Sequence, residues 1–226
     1  MLSRVRRLLK IIHPEGIPWP GTVIYNVISE TRIFQGHYEL VAEDILSYCS
    51  QGSILDIGTG PGWLLVRLHQ KARGLRLTGL DVSPSMIGKA RKNMADLGLS
   101  DVIEVKVGSA SNMPFPECTF DAIVSTGSIH HWKEPTAGLN DVYRVLKDGG
   151  YALMYDLVSD TPASVLKETA RQFGKLKMVL LWLHAFEEPF YSREDFGLLP
   201  RGTLFREGRT RFVGVMCCLV LRKTAS

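Results

Sequence analysis

Apolar residues recur along this chain in two rhythms that alternate with each other. Between about 35 and 48, Leu40, Val41, Ile45 and Leu46 fall at helical spacing. Ser53 to Ile57 is a short apolar run ending at glycines, which predicts a buried strand. Trp63 to Ala72 predicts a helix with Leu64, Leu65, Leu68 and Ala72 on one side, stopped by Gly74, and Leu75 to Leu80 a second strand. Pro84 to Leu97 is a second helix of this series, with Ser83 placed as N-cap, Pro84 at the first helical position, and Met86, Ile87, Ala90, Met94 and Leu97 at a period of 3.6. Val102 to Val107 and Phe120 to Ser125 predict a third and a fourth strand. Pro135 to Leu146 predicts a helix, and Tyr151 to Val158 a fifth strand after a turn at Gly149-Gly150.

The last third breaks this rhythm. Ala163 to about Ala185 reads as mostly helical, and Ser192 to Leu199 as a short helix or turn. Leu204 to Arg206 and Arg211 to Leu221 resemble two strands, expected as an antiparallel pair closing the sheet edge. Strands alternating with helices imply a parallel sheet covered on both faces. The expected fold is therefore α/β: a doubly wound, mostly parallel seven-stranded sheet with an antiparallel C-terminal edge strand. We divide the chain into an N-terminal helix and connector (1–35), the latter marked by Pro14, Pro18 and Pro20, and a main domain (36–226). Within it, 159–190 is the expected lid or substrate insertion.

At 226 residues, 45% hydrophobic and 22% charged, the chain suits one soluble globular domain with a full core. The net charge of +4 is modest, and the one dense basic cluster is Arg4, Arg6, Arg7 and Lys10. A nucleic-acid partner is not expected, since no basic stripe runs along the chain. Interleaved with Leu2, Val5, Leu8, Leu9 and Ile12, the cluster makes a short amphipathic helix that packs on the domain or touches a membrane surface through residues 1–12. It lacks the apolar stretch of a signal peptide. The longest apolar run, Met178 to Leu183, is far short of the ~18 residues a membrane span needs. Cys49, Cys118, Cys217 and Cys218 form neither a C-x-x-C pair nor a zinc spacing, so no metal is expected. Adjacent Cys217 and Cys218 should face opposite sides of a strand, as reduced buried thiols in a cytoplasmic protein.

The chemistry concentrates in Leu55-Asp56-Ile57-Gly58-Thr59-Gly60-Pro61-Gly62, where the first strand gives way to a helix. Such sheets bind ligands at that point. Gly58, Gly60 and Gly62 let the backbone turn sharply and approach a ligand closely. A dinucleotide presents a pyrophosphate to this loop, and Asp56 would sit poorly beside that anion. S-adenosylmethionine carries no phosphate; its methionine end has an ammonium and its sulfur is positive, which suits a carboxylate. The G-x-G-x-G spacing also departs from the dinucleotide G-x-G-x-x-G. Asp81, 25 residues after Asp56 at the end of the second strand, can accept both ribose hydroxyls or act as an acid at a helix N-terminus. Met86, one turn on, packs either on an adenine ring or in the core.

These stretches (LDIGTGPGWL, GLDVSPSMIGKAR, VGSASNMPFPECTFDAIVSTGSIHHW and VYRVLKDGGYALMYD) together resemble class I S-adenosylmethionine methyltransferases of Rossmann-like fold. They are most similar to the small-molecule branch typified by ubiquinone/menaquinone-biosynthesis C-methyltransferases, over roughly residues 36 to 158. The resemblance implies that the loop from Asp56 to Gly62, Thr59 included, cradles the methionine end, and that Asp81 holds the ribose with Val82 beside it. It further implies that Ser109 and Ala110 border the adenine and that the backbone near Thr126 meets the methionine amino group. The family commonly places an acid where this chain has Ser109; a serine hydroxyl makes a weaker hydrogen bond.

Methyl transfer from a sulfonium is an in-line displacement, and holding donor and acceptor in near-attack geometry is in principle worth ~7–11 kcal/mol. Where the acceptor must lose a proton, the candidate bases are His130 and His131, just past the fourth strand. The other reading of His130-His131-Trp132 is a feature that orients the loop. The segment after the fourth strand, Ser125-Thr126-Gly127-Ser128, lacks the Asn/Asp-Pro-Pro motif of base amino-methylation and the cysteine needed at pyrimidine C5. A small organic acceptor is expected. Apolar Lys177 to Phe186 lines its pocket or packs in the core, and Tyr25, Arg32 and Tyr38 are candidates to fold over the cofactor. The competing readings are a nicotinamide oxidoreductase, which Asp56 and the absence of a Tyr-x-x-x-Lys pair oppose, and a non-catalytic S-adenosylmethionine-binding scaffold.

Overall fold

A computed structural model describes residues 32–173 and 190–224. The basic segment 1–12, Tyr25, the apolar segment 177–186 and much of the expected lid lie outside the described residues. So does the side chain of Arg32.

Among the described residues, seven strands form one sheet in the order β3-β2-β1-β4-β5-β7-β6. The elements are α1 (Arg32–Leu46), β1 (Gly52–Ile57), α2 (Trp63–Lys71), β2 (Leu75–Asp81), α3 (Pro84–Asp96), β3 (Ile103–Val107), β4 (Phe120–Thr126), α4 (Pro135–Val145), β5 (Leu146–Asp156), α5 (Ala163–Phe173), α6 (Arg193–Leu198), β6 (Arg209–Val213) and β7 (Met216–Arg222). Strands β1 to β5 run parallel, and β7 lies antiparallel to both β5 and β6. The last strand is thus antiparallel, as the pattern predicts, but it sits one place in from the edge that β6 occupies.

Strand alternation sorts the core into two halves. Ile54, Leu77, Val124, Leu153 and Cys218 face α1, α2 and α3. Leu55, Ile123, Met154, Cys217 and Leu219 face α4 and α6. Cys217 and Cys218 fall on opposite faces, and burial pushes their thiols up to about 11 and about 12, which keeps them protonated and unreactive. Tyr38 packs into the first half beside Val41 and Ile45.

Local signals set several helix starts. The Ser83 hydroxyl accepts the Met86 backbone N–H at 3.4 Å, with Pro84 opening α3. Ser192 accepts the Asp195 N–H at 3.0 Å to start α6. One long-range cluster fastens α1 to the sheet: the Tyr155 hydroxyl and the Arg211 guanidinium both donate to Asp44 Oδ2 at 2.6 Å.

Two expectations need correction. Leu204 to Arg206 is a turn, not a strand; Arg206 has φ +64 and its N–H is taken by the Thr203 carbonyl at 3.1 Å. The run Arg211 to Leu221 is not one strand but parts of two, because Gly214 adopts φ +55 and opens a two-residue hairpin loop between Val213 and Met216. The antiparallel pair exists, shifted in register from where the pattern placed it. In addition, β5 starts five residues before Tyr151: Leu146 pairs Phe120, and a register shift follows before Tyr151 pairs Ala122.

No helix is present between β3 and β4 among the described residues. The uncovered face of β2 and β3 forms an open groove of about 580 Å³ lined by Arg76, Thr78, Glu104, Lys106 and Phe115. It flanks the strand beginnings, away from the glycine loop. No helix of the described residues is long and apolar enough to cross a membrane.

Candidate active site

At the C-terminal ends of β1, β2, β4 and β5 the structure gathers most of the residues singled out above. The glycine loop is a tight turn seated on β2: the N–H groups of Gly58 and Thr59 both donate to the Leu80 carbonyl, at 2.7 and 3.0 Å. Gly58, Gly60 and Gly62 all have positive φ, at 73°, 52° and 83°. At Gly58 even a methyl group would overlap the Ser128 hydroxyl, so the loop and the segment after β4 touch there. Gly62 caps α2 in the left-handed conformation with no side-chain hydrogen bond, leaving the helix start to the loop's own backbone.

Two carboxylates flank this turn. Asp56 is 2% exposed, and its Oδ2 accepts the Thr59 hydroxyl at 2.8 Å. Burial raises its pKa to about 7; the Thr59 hydrogen bond opposes the shift, and the nearby Asp81 charge adds to it. Asp81 Oδ2 accepts the Gly60 N–H and Oδ1 the Ser83 N–H, each at 2.9 Å. Burial raises the Asp81 pKa too, against those two backbone bonds. A carboxylate has about four lone-pair sites, so Asp81 retains acceptor capacity for a ligand diol.

The end of β4 supplies unused polar atoms. The hydroxyls of Ser125 and Thr126 are buried and have no hydrogen-bond partner among the described residues. Register places Ser125 beside Ile57, hence Thr126 beside the glycine turn. Orphaned buried hydroxyls next to a left-handed glycine turn and two carboxylates fit a polar, cationic ligand better than an anionic one.

Beyond β3, the Ser109 hydroxyl accepts the Ser111 N–H at 3.3 Å and lies 3.1 Å from the Ser111 hydroxyl, so part of its capacity is spent locally. Ala110 is buried against the core half that holds Trp132. Val82 is half-buried, and Met86 is buried on α3 at 3% exposed.

After β4 a short 3-10 turn, Ile129–His131, carries both histidines. His130 is buried, its ring 3.9 Å from that of His131 and 4.5 Å from that of Phe190, centroid to centroid. Its Nδ1 lies 2.8 and 2.9 Å from the two carboxylate oxygens of Asp156, the last residue of β5. His131 is half-buried and donates its backbone N–H to the Ser128 carbonyl.

Sequence reasoning missed three residues. Asp156 pairs with His130 across 26 positions; its signal was a carboxylate closing an apolar strand, the same pattern as Asp56. Asn93, buried on α3, donates to the Pro61 carbonyl at 2.9 Å and latches the loop. Ser128 fills the space over Gly58 and accepts the Trp132 indole N–H at 3.1 Å. Neither of the last two carries a local signal.

Comparison with known proteins follows the same lines. A family model described as "Methyltransferase domain" matches residues 54–150. The chain is 38% identical over 141 residues to 2-methyl-6-phytyl-1,4-hydroquinone methyltransferase 1 of rice, a match covering 60% of this chain and 42% of that protein. It is 28% identical over 147 residues to demethylmenaquinone methyltransferase of Deinococcus radiodurans, covering 65% of this chain and 59% of the other. In structure it resembles a protein described as a putative S-adenosylmethionine-dependent methyltransferase from Methanococcus maripaludis, with TM-score 0.74, 25% identity and coverage of 95% of this chain and 98% of that one. The chain spans 39% and 42% of the length of the two rice relatives it matches. Fold, loop and sequence likeness agree: residues 54–150 match a methyltransferase domain, and the chain is similar to S-adenosylmethionine-dependent methyltransferases in sequence and in fold.

Proposed function

We propose that this protein moves the methyl group of S-adenosylmethionine to a small hydrophobic or aromatic acceptor and releases S-adenosylhomocysteine. The observation that carries this reading is the pair of buried carboxylates, Asp56 and Asp81, on either side of a left-handed glycine turn. Two buried carboxyl groups, whose ionisation a neighbouring cation favours, make a poor phosphate site and a good one for an ammonium, a sulfonium and a ribose diol. When bound, the cosubstrate supplies an electrophilic methyl on a good leaving group.

This chain's residues then bind and orient. Asp81 accepts the ribose hydroxyls while Gly60 and Ser83 hold its carboxylate in place. Asp56 offsets the positive methionine end, with Thr59, the Gly58–Gly62 backbone and the Thr126 hydroxyl around it. Val82, Met86, Ser109 and Ala110 border the adenine. His130 and His131 stand at the acceptor side, since Ser128 two residues earlier rests on Gly58. The relatives named for hydroquinone and menaquinone substrates are consistent with a quinol-like acceptor for this chain.

Calorimetric titration with S-adenosylmethionine and, separately, NADH tests the cosubstrate. Micromolar binding of the first alone is expected. It would be followed by transfer of labelled methyl to a panel of alkylated hydroquinones, phenols and thiols. Binding of NADH alone, or of neither, would overturn the proposal.

A further inference from the structure

We propose that Ser109 and Ser111 form a reversible hydroxyl pair that reads the base of the cosubstrate and takes a 6-oxo purine as readily as a 6-amino purine. The inference rests on the methyltransferase reading above and goes beyond it: the site selects the ribose and the methionine end, not the amino group of the base.

The fold brings the pair to the ribose site. Asp81 pairs in register with Val107, and its carbonyl accepts the Gly108 N–H at 2.9 Å. The segment that leaves β3 therefore starts against the residue assigned to the ribose. In a nucleoside the base hangs from the carbon adjacent to the diol, which brings it to that same segment. The backbone there is fixed from α4. Ser109 and Asn112 form an antiparallel bridge, the Met113 N–H donates to Asp141, and Arg144 donates to the carbonyls of Met113 and Phe115 at 3.1 and 2.7 Å. Asp141 is thereby spent on the segment's backbone and on Arg144. What remains free to adapt is the direction of the two hydroxyl hydrogens.

The half-buried Ser109 and Ser111 oxygens lie 3.1 Å apart, and either can donate to the other. Ser109 Oγ also accepts the Ser111 N–H at 3.3 Å. A hydroxyl carries one hydrogen and accepts two bonds, so the pair keeps one hydrogen to give outward and acceptor sites to spare. An adenine edge offers an amino donor beside a ring-nitrogen acceptor. One hydroxyl accepts from the amino group and donates to its neighbour, which donates to the ring nitrogen. A hypoxanthine edge offers the reverse, an oxo acceptor beside a ring N–H. The pair meets it by turning both hydrogens round: the first hydroxyl donates to the oxo oxygen, and its neighbour accepts the ring N–H and donates to the first. Every group is satisfied in both arrangements, whichever serine faces the amino or oxo position. A carboxylate in place of the pair would only accept, and would leave the oxo oxygen without a donor.

Calorimetric titration of the full-length protein with S-adenosylhomocysteine and with its deaminated counterpart, S-inosylhomocysteine, tests the pair. In the wild type the two dissociation constants should agree within about threefold, less than an unpaired buried group costs. Ser109→Asp should favour S-adenosylhomocysteine over S-inosylhomocysteine by at least about tenfold, since the oxo oxygen then faces a carboxylate. The ratio of the two affinities is the readout, because a purely structural defect lowers both alike. A wild type that binds S-adenosylhomocysteine more than about threefold tighter than S-inosylhomocysteine overturns the inference and leaves the cosubstrate reading standing, and this comparison needs no variant. An unchanged ratio in a Ser109→Asp protein that binds S-adenosylhomocysteine overturns it as well. Binding of neither ligand by the wild type overturns the cosubstrate reading and the inference with it.

Discussion

The Gly60 backbone N–H donates to Asp81 Oδ2 at 2.9 Å, tying the tip of the glycine turn to the end of the neighbouring strand. The same carboxylate reaches Ser83 through its other oxygen, so one side chain sets the loop, the end of β2 and the start of α3. Replacing Asp81 by alanine removes the proposed ribose acceptor and a loop anchor together. We expect S-adenosylmethionine affinity to fall more than tenfold while circular dichroism and cooperative melting persist, because the core halves on either side of the sheet do not depend on it. Calorimetry checks this; an unchanged affinity would show that the ribose lies elsewhere.

Asp56 predicts a pH dependence of stability with a definite sign. Its pKa is about 7 in the folded chain against an unfolded value near 3.8. Between those values the folded state keeps a proton that the unfolded state has lost, so ligand-free stability falls as pH rises from about 4 to about 7 and then levels off. The limiting size of this loss is about 4 kcal/mol. Asp56→Asn removes it: at pH 8 the variant should melt several degrees above the wild type in a thermal-shift series. The same substitution should cost the cosubstrate most of its affinity. In the wild type, affinity should rise with pH up to about 7, by at most about tenfold per unit, as the carboxylate charges. A wild-type melting curve that does not move between pH 5 and 8 would contradict the buried acid.

Gly58 and Gly98 share a left-handed backbone, with φ of 73° and 67°, but not a neighbourhood. A Cβ on Gly98 meets nothing within 4 Å, whereas on Gly58 it would overlap Ser128. Gly98→Ala should cost about 1–2 kcal/mol from conformation alone and leave ligand affinity intact. Gly58→Ala should cost more in chemical denaturation and weaken S-adenosylmethionine at least tenfold, since either the loop or Ser128 must shift.

Asp44 accepts two buried-side donors at 2.6 Å, from Tyr155 and Arg211. Asp44→Ala strands the Tyr155 hydroxyl inside the protein and leaves Arg211 without its carboxylate. A loss of about 2–4 kcal/mol by urea denaturation is expected, with S-adenosylmethionine affinity little changed because the cluster lies on α1, β5 and β6 rather than at the loop. Asp44→Asn, which still accepts one bond, should lose less.

What the sequence by itself determined about this protein is what acts over a few residues. Period-2 and period-3.6 apolar spacing placed β1 to β4 and α2 to α4 to within a residue or two, and Ser83-Pro84 marked a helix start that the structure keeps. Side-chain alternation put Cys217 and Cys218 on opposite faces. The tight turn from Gly58 to Gly62 was legible because glycines that follow an apolar run end a strand and let the backbone turn. Tertiary structure alone decided which distant residue meets which. Asp156 faces His130, Asn93 latches Pro61, and Asp44 joins Tyr155 to Arg211, across separations of 26, 32, 111 and 167 positions along the chain. It also divided the last apolar run at Gly214, where a local preference for strand gave way to a left-handed glycine that turns the chain back on itself. Periodicity tells which face of an element is buried, but strand order and register choose the partner, and these are settled by packing the whole sheet at once.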